Sequence, residues 1–169
     1  MVAIEVARAG QVGLARLEPT DGELLRRLFY RLSPETVYRR FLSPLARPEQ
    51  TRPERLLDVD HQDREAVVAV LDGEIVGVAR YFRWPGSRSA ELAVVVADDW
   101  QRQGVATRMI GRLAQLAQAA GIERFTLTMQ ADNRAVLRLI RRFWPAVVLS
   151  IDHGVYEASV PVLNEAPGL

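Results

Sequence analysis

The sequence contains no cysteine and no lysine, and His61 and His153 are its only histidines. Without cysteine, the residues given can form no disulfide, no thiolate metal site and no cysteine nucleophile. Two histidines do not suggest a histidine-rich metal centre, so we predict no metal cofactor.

Long hydrophobic runs are also missing. No stretch approaches the roughly 20 apolar residues that a membrane helix needs, and Met1–Val6 is too short and too acidic for a secretory signal. We therefore expect a cytoplasmic protein without a membrane partner. The net charge is only +1, from 22 basic and 21 acidic residues, and this balance does not indicate nucleic-acid binding.

What is present fits an ordinary globular fold. The chain has 169 residues, of which 49% are hydrophobic and 25% charged. We expect a single domain over residues 1–169 with its core at about 12–162. Asp72-Gly73, between two apolar runs, predicts a β-hairpin. Hairpins in the middle of the chain and helices between the later strands favour one mixed α/β sheet with helices on both faces.

The apolar spacing predicts the individual elements. The first ten residues are weakly patterned and could be a loose arm or an extra edge strand. Predicted helices follow Asp21, start at Ser33-Pro34, and cover Arg52–Val59, Gln103–Ala120 and Asn133–Phe143. Predicted strands cover Val12–Leu17, Ala66–Leu71, Glu74–Phe82, Ser89–Val96, Arg124–Met129, Val147–Ile151 and Val155–Val162.

The chain is organised around Ala90–Thr107, which reads as a buried strand, an acidic loop, a Gln/Arg turn and the start of a helix. The N–H groups at a helix start have no intrahelical partner, and with the helix dipole they suit phosphate oxygens. Gly104 in the turn would let an anion approach the backbone. From the turn alone, an anion site and a plain strand-to-helix connection fit equally well. The pair Asp98-Asp99 could suggest a metal, but acids before a helix normally favour its positive end.

The run Gln101-Arg102-Gln103-Gly104-Val105-Ala106 resembles the Gln/Arg-x-x-Gly-x-Gly/Ala signature of the GCN5-related N-acetyltransferase (GNAT) superfamily. Asn133, just past the next strand, matches an asparagine that commonly faces the cofactor in this family. The resemblance implies the GNAT fold: a mixed, mostly antiparallel sheet of about seven strands, flanked by helices and splayed between the fourth and fifth strands.

A narrower likeness concerns Arg31–Phe41 and Ala90–Val96, which are similar to the catalytic domain of bacterial Pat-type protein lysine acetyltransferases. Those enzymes often carry a fused cyclic-nucleotide-binding or acyl-CoA-synthetase-like module, and we expect neither within these residues. The likeness implies transfer of acetyl from acetyl-CoA to an amine, with a lysine-bearing protein as acceptor. Acetylation of a small amine, and a non-catalytic acetyl-CoA-binding module, remain as alternatives.

The resemblance also implies a donor site. The strand Val94–Val96 would pair with the pantetheine arm through its backbone, and an N–H near Val94 or Val95 would face the thioester oxygen. The pyrophosphate would lie on the N–H groups from Arg102 to Thr107. The implied cofactor-binding residues are Val94, Val95, Val96, Gln101, Arg102, Gln103, Gly104, Val105, Ala106, Thr107 and Asn133.

Glu91 is the predicted catalytic residue. An amine that is protonated at neutral pH cannot attack, so the reaction needs a general base, and the resembling protein acetyltransferases place theirs at the start of this strand. The alternative is an exposed glutamate with no role. Many family members carry a tyrosine after the helix that follows Asn133. Here that position reads Phe143-Trp144-Pro145, so we assign no general acid.

Overall fold

A computed structural model describes residues 11–41 and 53–163. The weakly patterned first ten residues and the beginning of the helix predicted from Arg52 lie outside this part. The helices are α1 (Gly22–Tyr30), α2 (Pro34–Phe41), α3 (Pro53–Leu56), α4 (Val105–Ala119) and α5 (Arg134–Phe143). The strands are β1 (Gly13–Arg16), β2 (Arg64–Leu71), β3 (Glu74–Arg83), β4 (Ser89–Val96), β5 (Arg124–Gln130), β6 (Ser150–Asp152) and β7 (Val155–Pro161).

The seven strands form one sheet in the order β1-β2-β3-β4-β5-β7-β6. Every neighbouring pair is antiparallel except β4 and β5, which are parallel. This confirms the predicted mixed, mostly antiparallel sheet flanked by helices. Asp72 and Gly73 both have positive φ, 48° and 80°, as the tight β2–β3 hairpin requires.

Two predicted boundaries differ from the structure. The helix α4 begins at Val105 rather than Gln103, because Gly104 has a left-handed φ of 78° that cannot continue a helix. The strand predicted over Val147–Ile151 is the shorter β6, Ser150–Asp152. Val147 instead closes a turn by donating its N–H to the Trp144 carbonyl at 3.0 Å.

Helices cover the two sheet faces unequally. On one face α4 and α5 bury the larger apolar cluster, which includes Leu92, Met109 and Phe125. On the other face α1 and α2 pack over β1 to β4 and bury a second cluster, which includes Leu28 and Val95. Strand side chains alternate between faces, and on this second face Thr128, Glu157 and Ser159 of β5 and β7 stay exposed.

A polar network joins α2 to the turn before α4. The Asp98 carboxylate accepts hydrogen bonds from the Ser33 N–H at 3.0 Å, the Ser33 hydroxyl at 2.7 Å and the Thr36 hydroxyl at 2.8 Å. Ser33 also accepts from the Thr36 N–H at 3.2 Å, which confirms it as the cap of α2. These bonds place the Asp98 carboxylate at the N-terminus of α2, where an anion is favoured. The expected effect of Asp98-Asp99 on the helix that follows them stays a prediction.

The charge on Asp98 is stabilised in this position. Its partial burial raises the pKa of the carboxyl group, but the hydrogen bonds from Ser33 and Thr36 outweigh that effect. The pKa of Asp98 therefore lies below its ordinary value of 3.8. A lowered carboxyl pKa contributes stability above the unfolded-state pKa, and that contribution is lost as the pH falls through the folded-state pKa.

We predict that Asp98→Asn lowers the free energy of unfolding at pH 7 by about 1 kcal/mol, the scale of a lost helix cap at an exposed position. The difference from the unmodified protein should shrink as the pH falls below about 4, where the carboxyl group becomes protonated in the unfolded chain, and it should vanish once the pH is below the lowered pKa of the folded state. Urea unfolding at pH 7 and at pH 3 measures both effects. The adjacent Asp99→Asn removes the same charge without these bonds, and an equal loss in that control would contradict the prediction.

Candidate active site

The strands β4 and β5 part soon after they begin to pair. Their parallel ladder contains three pairs and ends at Glu91 opposite Thr126. On its other side β4 stays paired with β3 as far as Val96. From Leu92 to Val96, in the described part of the chain, the β5-facing edge of β4 therefore has no strand partner. This is the predicted splay, and it leaves backbone groups open to a ligand.

The ladder with β3 decides which backbone groups face the gap. The Ala97 N–H donates to the Val76 carbonyl at 2.8 Å, and antiparallel pairs alternate between bonded and non-bonded. The backbone N–H and C=O of Val95 therefore face Val78 on β3, whereas the backbone N–H and C=O of Val94 and Val96 face the gap. Of the two residues predicted to offer an N–H to a ligand, the alternation selects Val94.

Gln101 is already engaged with the protein. Its side-chain amide donates to the Val96 carbonyl at 3.1 Å and to the Thr36 hydroxyl at 3.3 Å. The far end of the gap is thereby closed by a protein group. Gln101 thus connects β4, α2 and the turn, and a ligand pairing with Val96 would use its N–H.

The turn into α4 has the backbone geometry of an anion seat. Arg102 and Gly104 have positive φ values of 61° and 78°, and the Gln103 side chain donates to the Asp99 carbonyl at 2.8 Å. The Arg108 N–H bonds to the Gly104 carbonyl at 3.1 Å. The preceding N–H groups of the first helical turn, Val105 to Thr107, have no intrahelical acceptor. These groups and the dipole of a 15-residue helix favour an anion here.

Asn133 lies at the same edge of the sheet, because β4 and β5 run in the same direction and it follows the end of β5. It is buried, and its Oδ1 accepts the Val136 N–H at 3.2 Å, so it caps α5. The amide NH₂ is then the part of the side chain suited to bonding a ligand oxygen. The fold therefore brings the predicted strand edge, turn and asparagine to the end of the sheet at which the gap opens.

Glu91 lies on the opposite face from the larger apolar cluster, on the side of α1 and α2. Its side chain is exposed and lines a cleft of about 640 Å³. The cleft extends from β4 across β5 to β7. Its polar and aromatic lining residues are Trp84, Glu91, Thr126, Thr128, Ser150, Glu157 and Ser159.

Two arginines influence the charge around Glu91. Burial and the neighbouring charge of Arg80 lower the pKa of Arg40 to about 10, and Glu91 partly offsets this. Burial likewise lowers the pKa of Arg80, with Glu91 again opposing the shift. Both guanidinium groups remain charged at neutral pH. Two arginine side chains thus lie on the α2 and β3 side of Glu91.

Trp84 forms a wall of the cleft that sequence reasoning missed. Its indole N–H donates to the Thr126 hydroxyl at 3.1 Å, which holds the ring beside the point where β4 and β5 part, and 44% of the residue is exposed. Read alone, Arg83–Ser87 indicates only a turn. The signal available in the sequence was the alternation of β5, which directs Thr126 away from the core.

Phe143 and Trp144, at the position where many family members carry a tyrosine, have a structural role. Both side chains are buried, and the Trp144 indole donates to the Pro161 carbonyl at 2.8 Å. Trp144 thus joins the end of α5 to β7. Tyr156 packs against the cluster on the face away from Glu91. Neither Trp144 nor Tyr156 is directed towards Glu91 from the cleft side.

Residues 11–41 and 53–163 contain no group of three or more histidine, aspartate or glutamate side chains that could hold a metal ion. Asp58 and Asp60 pair with Arg64 instead. In the same part of the chain, no helix is both long enough and apolar enough to cross a bilayer.

Comparison with known proteins identifies the family. The sequence profile of the acetyltransferase (GNAT) family matches residues 28–143. The acetyltransferase Pat of Mycolicibacterium smegmatis is 33% identical over 140 residues, which cover 80% of this chain and 41% of Pat. The chain thus spans less than half of that relative.

Solved structures show the same fold. The GNAT domain of Streptomyces lividans PAT superposes with a TM-score of 0.82 at 24% identity, covering 90% of this chain and 91% of that one. An acetyltransferase from Salmonella typhimurium, solved with its cofactor acetyl-CoA, superposes at 0.69 with 14% identity, covering 93% and 98%. The profile match spans more than half of the sequence and coincides with the splayed sheet and the turn into α4, so this chain belongs to the acetyltransferase (GNAT) family and is an acyltransferase.

Proposed function

We propose that this protein transfers an acetyl group from acetyl-CoA to an amine, with Glu91 as the general base and a protein lysine side chain as the acceptor. One observation carries the proposal. Glu91 belongs to the last pair of the β4–β5 ladder, so the backbone gap on one side and the cleft on the other meet beside its carboxylate. A donor held in the gap and an amine entering by the cleft would meet there.

The donor would be held mainly by backbone. The pantetheine arm would pair with the gap-facing groups of Val94 like an added strand. The pyrophosphate would lie on the N–H groups from Arg102 to Thr107, and the Asn133 NH₂ would bond the arm. The order of these groups supports the assignment. Glu91, Val94 and the turn follow one another along β4 and into the start of α4. The resemblance to an acetyltransferase solved with acetyl-CoA supports the choice of donor.

The chemistry then follows from these positions. Glu91, directly or through one water, takes a proton from the acceptor ammonium, and the freed nitrogen lone pair attacks the thioester carbonyl carbon. The Val94 N–H donates to the carbonyl oxygen as negative charge develops there. The carbon–sulfur bond breaks and the coenzyme leaves as a thiolate, while the nitrogen releases its second proton to water and the amide forms. A thiol has an ordinary pKa of about 8.5, so departure does not depend on a protein acid.

The acceptor class rests on the Pat likeness and on the cleft. The relative Pat supports a protein lysine, and the cleft beside Glu91 is open at the surface and lined by carboxylates that suit a cation. A small amine would bring the same reacting group. Turnover on peptides containing lysine distinguishes the two acceptors, and tight acetyl-CoA binding without any turnover would favour a binding module.

We predict that Gly104→Ala weakens acetyl-CoA binding by about tenfold or more. A methyl group at φ 78° would strain the turn and displace N–H groups that bond the pyrophosphate, each charge-assisted bond contributing about 1.5–3 kcal/mol. Thermal unfolding with and without acetyl-CoA measures this. Acetyl-CoA at about 1,000 times its dissociation constant should stabilise the unmodified protein by about 4 kcal/mol.

A matched control lies at the other end of α4. Gly121 also has a positive φ, of 76°, and a Cβ there would meet nothing within 4 Å. Gly121→Ala should therefore destabilise the free protein by a similar amount yet keep the full stabilisation by acetyl-CoA. Equal binding by both variants would show that the turn does not hold the donor.

We also predict that Glu91→Gln lowers kcat for amine acetylation by about 10²–10⁴-fold, the usual contribution of a general base. The amide keeps the shape of the side chain but cannot accept the proton, so acetyl-CoA binding should be unchanged. Release of coenzyme A with a lysine-containing peptide, followed across pH, measures the effect. The rate of the variant should recover partly at high pH, where more of the amine is already neutral.

Glu23→Gln is the control for a lost carboxylate. Glu23 is exposed on α1, pairs with Arg26 and does not line the cleft. The Glu23→Gln variant should therefore acetylate the peptide at the normal rate. A Glu91→Gln enzyme with the kcat and pH profile of the unmodified protein would remove Glu91 from the mechanism.

A further inference from the structure

The cleft continues past Glu91 to a second carboxylate on β7. Glu91 is opposite Thr126 on β5, Thr126 is opposite Ser159 on β7, and Glu157 is opposite Thr128. Glu157 is thus two strands and two residues away from Glu91, or about 12 Å between Cα atoms from standard sheet spacings. Both carboxylates line the same cleft.

Glu157 is available to a ligand. Its side chain is exposed, and among residues 11–41 and 53–163 no arginine or histidine forms an ion pair with it. Its backbone carbonyl accepts from the Ser150 hydroxyl at 3.3 Å, which ties β7 to β6 at this position. The floor between the two carboxylates carries the neutral hydroxyls of Thr126 and Thr128.

The arginines around the cleft are distributed unevenly. Arg40 and Arg80 lie on the α2 and β3 side of Glu91. Arg124 closes the opposite corner, where its guanidinium donates to the Ser159 hydroxyl at 2.9 Å and the Ser159 carbonyl at 2.8 Å. A second positive charge on the acceptor would lie near an arginine on either of these sides. The Glu157 corner is where it would be attracted.

We infer that Glu157 is a specificity-determining residue, which binds a second basic side chain of the acceptor while its lysine reacts at Glu91. This rests on the proposed function and deepens it. The acceptor is then a protein segment in which an arginine or lysine lies near the acetylated lysine. An extended chain advances about 3.3 Å per residue, so the 12 Å separation, after allowance for side-chain reach, fits a spacing of about two to four residues.

The test is a peptide scan with the full chain and acetyl-CoA. Each peptide carries one lysine in a neutral sequence and one arginine at a single position from four residues before it to four after, and a peptide without arginine is the reference. We expect the best position to raise kcat/KM about fivefold, the upper range for an exposed ion pair. The gain should lie in KM with kcat unchanged, and it should shrink in high salt.

Variants at Glu157 separate recognition from folding. Glu157→Gln should abolish the preference, so that no arginine position raises kcat/KM above that of the reference peptide measured with the same variant. Glu157→Arg should invert the preference towards peptides with glutamate at the same position, which a general loss of structure cannot produce. Glu123→Gln, an exposed carboxylate paired with Arg88 outside the cleft, should behave like the unmodified protein.

The outcomes distinguish this inference from the function on which it rests. Turnover of the reference peptide without any positional preference, or a preference that persists in Glu157→Gln, overturns the role of Glu157 alone. Activity on small amines but on no peptide overturns the acceptor class and the inference together, and leaves the role of Glu91 intact. Absence of turnover on any amine overturns the proposed function and the inference with it.

Discussion

The parting of β4 and β5 after three ladder pairs is the constraint on which the rest of this structure depends. Backbone N–H and C=O groups are normally paired when a strand is half buried, and here β3 satisfies only one edge of β4. The alternation of that ladder directs Val94 into the gap and leaves Val95 bonded to β3. The cleft on the α1 and α2 face of the sheet begins at the same residue, Glu91. The backbone gap and the cleft thus meet at the point where the two strands part.

Hydrogen bonds between polar groups connect the elements around the gap between β4 and β5. Asp98, Ser33 and Thr36 hold the start of α2 against the turn that leads into α4, and Gln101 bonds both the end of β4 and Thr36. The helix α2 and the turn that leads into α4 therefore share one hydrogen-bond network. A displacement of α2 would be transmitted to the turn through these bonds.

The electrostatics of the cleft are asymmetric although the chain is nearly neutral. Arg40 and Arg80 lie on one side of Glu91, Arg124 closes one corner, and the exposed Glu157 lies at the other. Net charge reports nothing of this arrangement, since 22 basic and 21 acidic residues can be distributed in many ways. The sheet register determines which carboxylates line the same cleft.

Local rules explain what could be read from the amino-acid order. The Asp72-Gly73 turn, the strand Ser89–Val96 and the glycine before α4 follow from conformational preferences of neighbouring residues, which act regardless of the rest of the fold. Glu91 and the Gln101–Ala106 run could be singled out because both belong to one contiguous stretch that resembles the pattern of a known family. The contacts of Asp98 with α2, the position of Trp84 beside Thr126, and the presence of Glu91 and Glu157 in one cleft bring together residues about 40 to 65 positions apart. Only strand register and helix packing decide those contacts, because no local preference carries information over such distances.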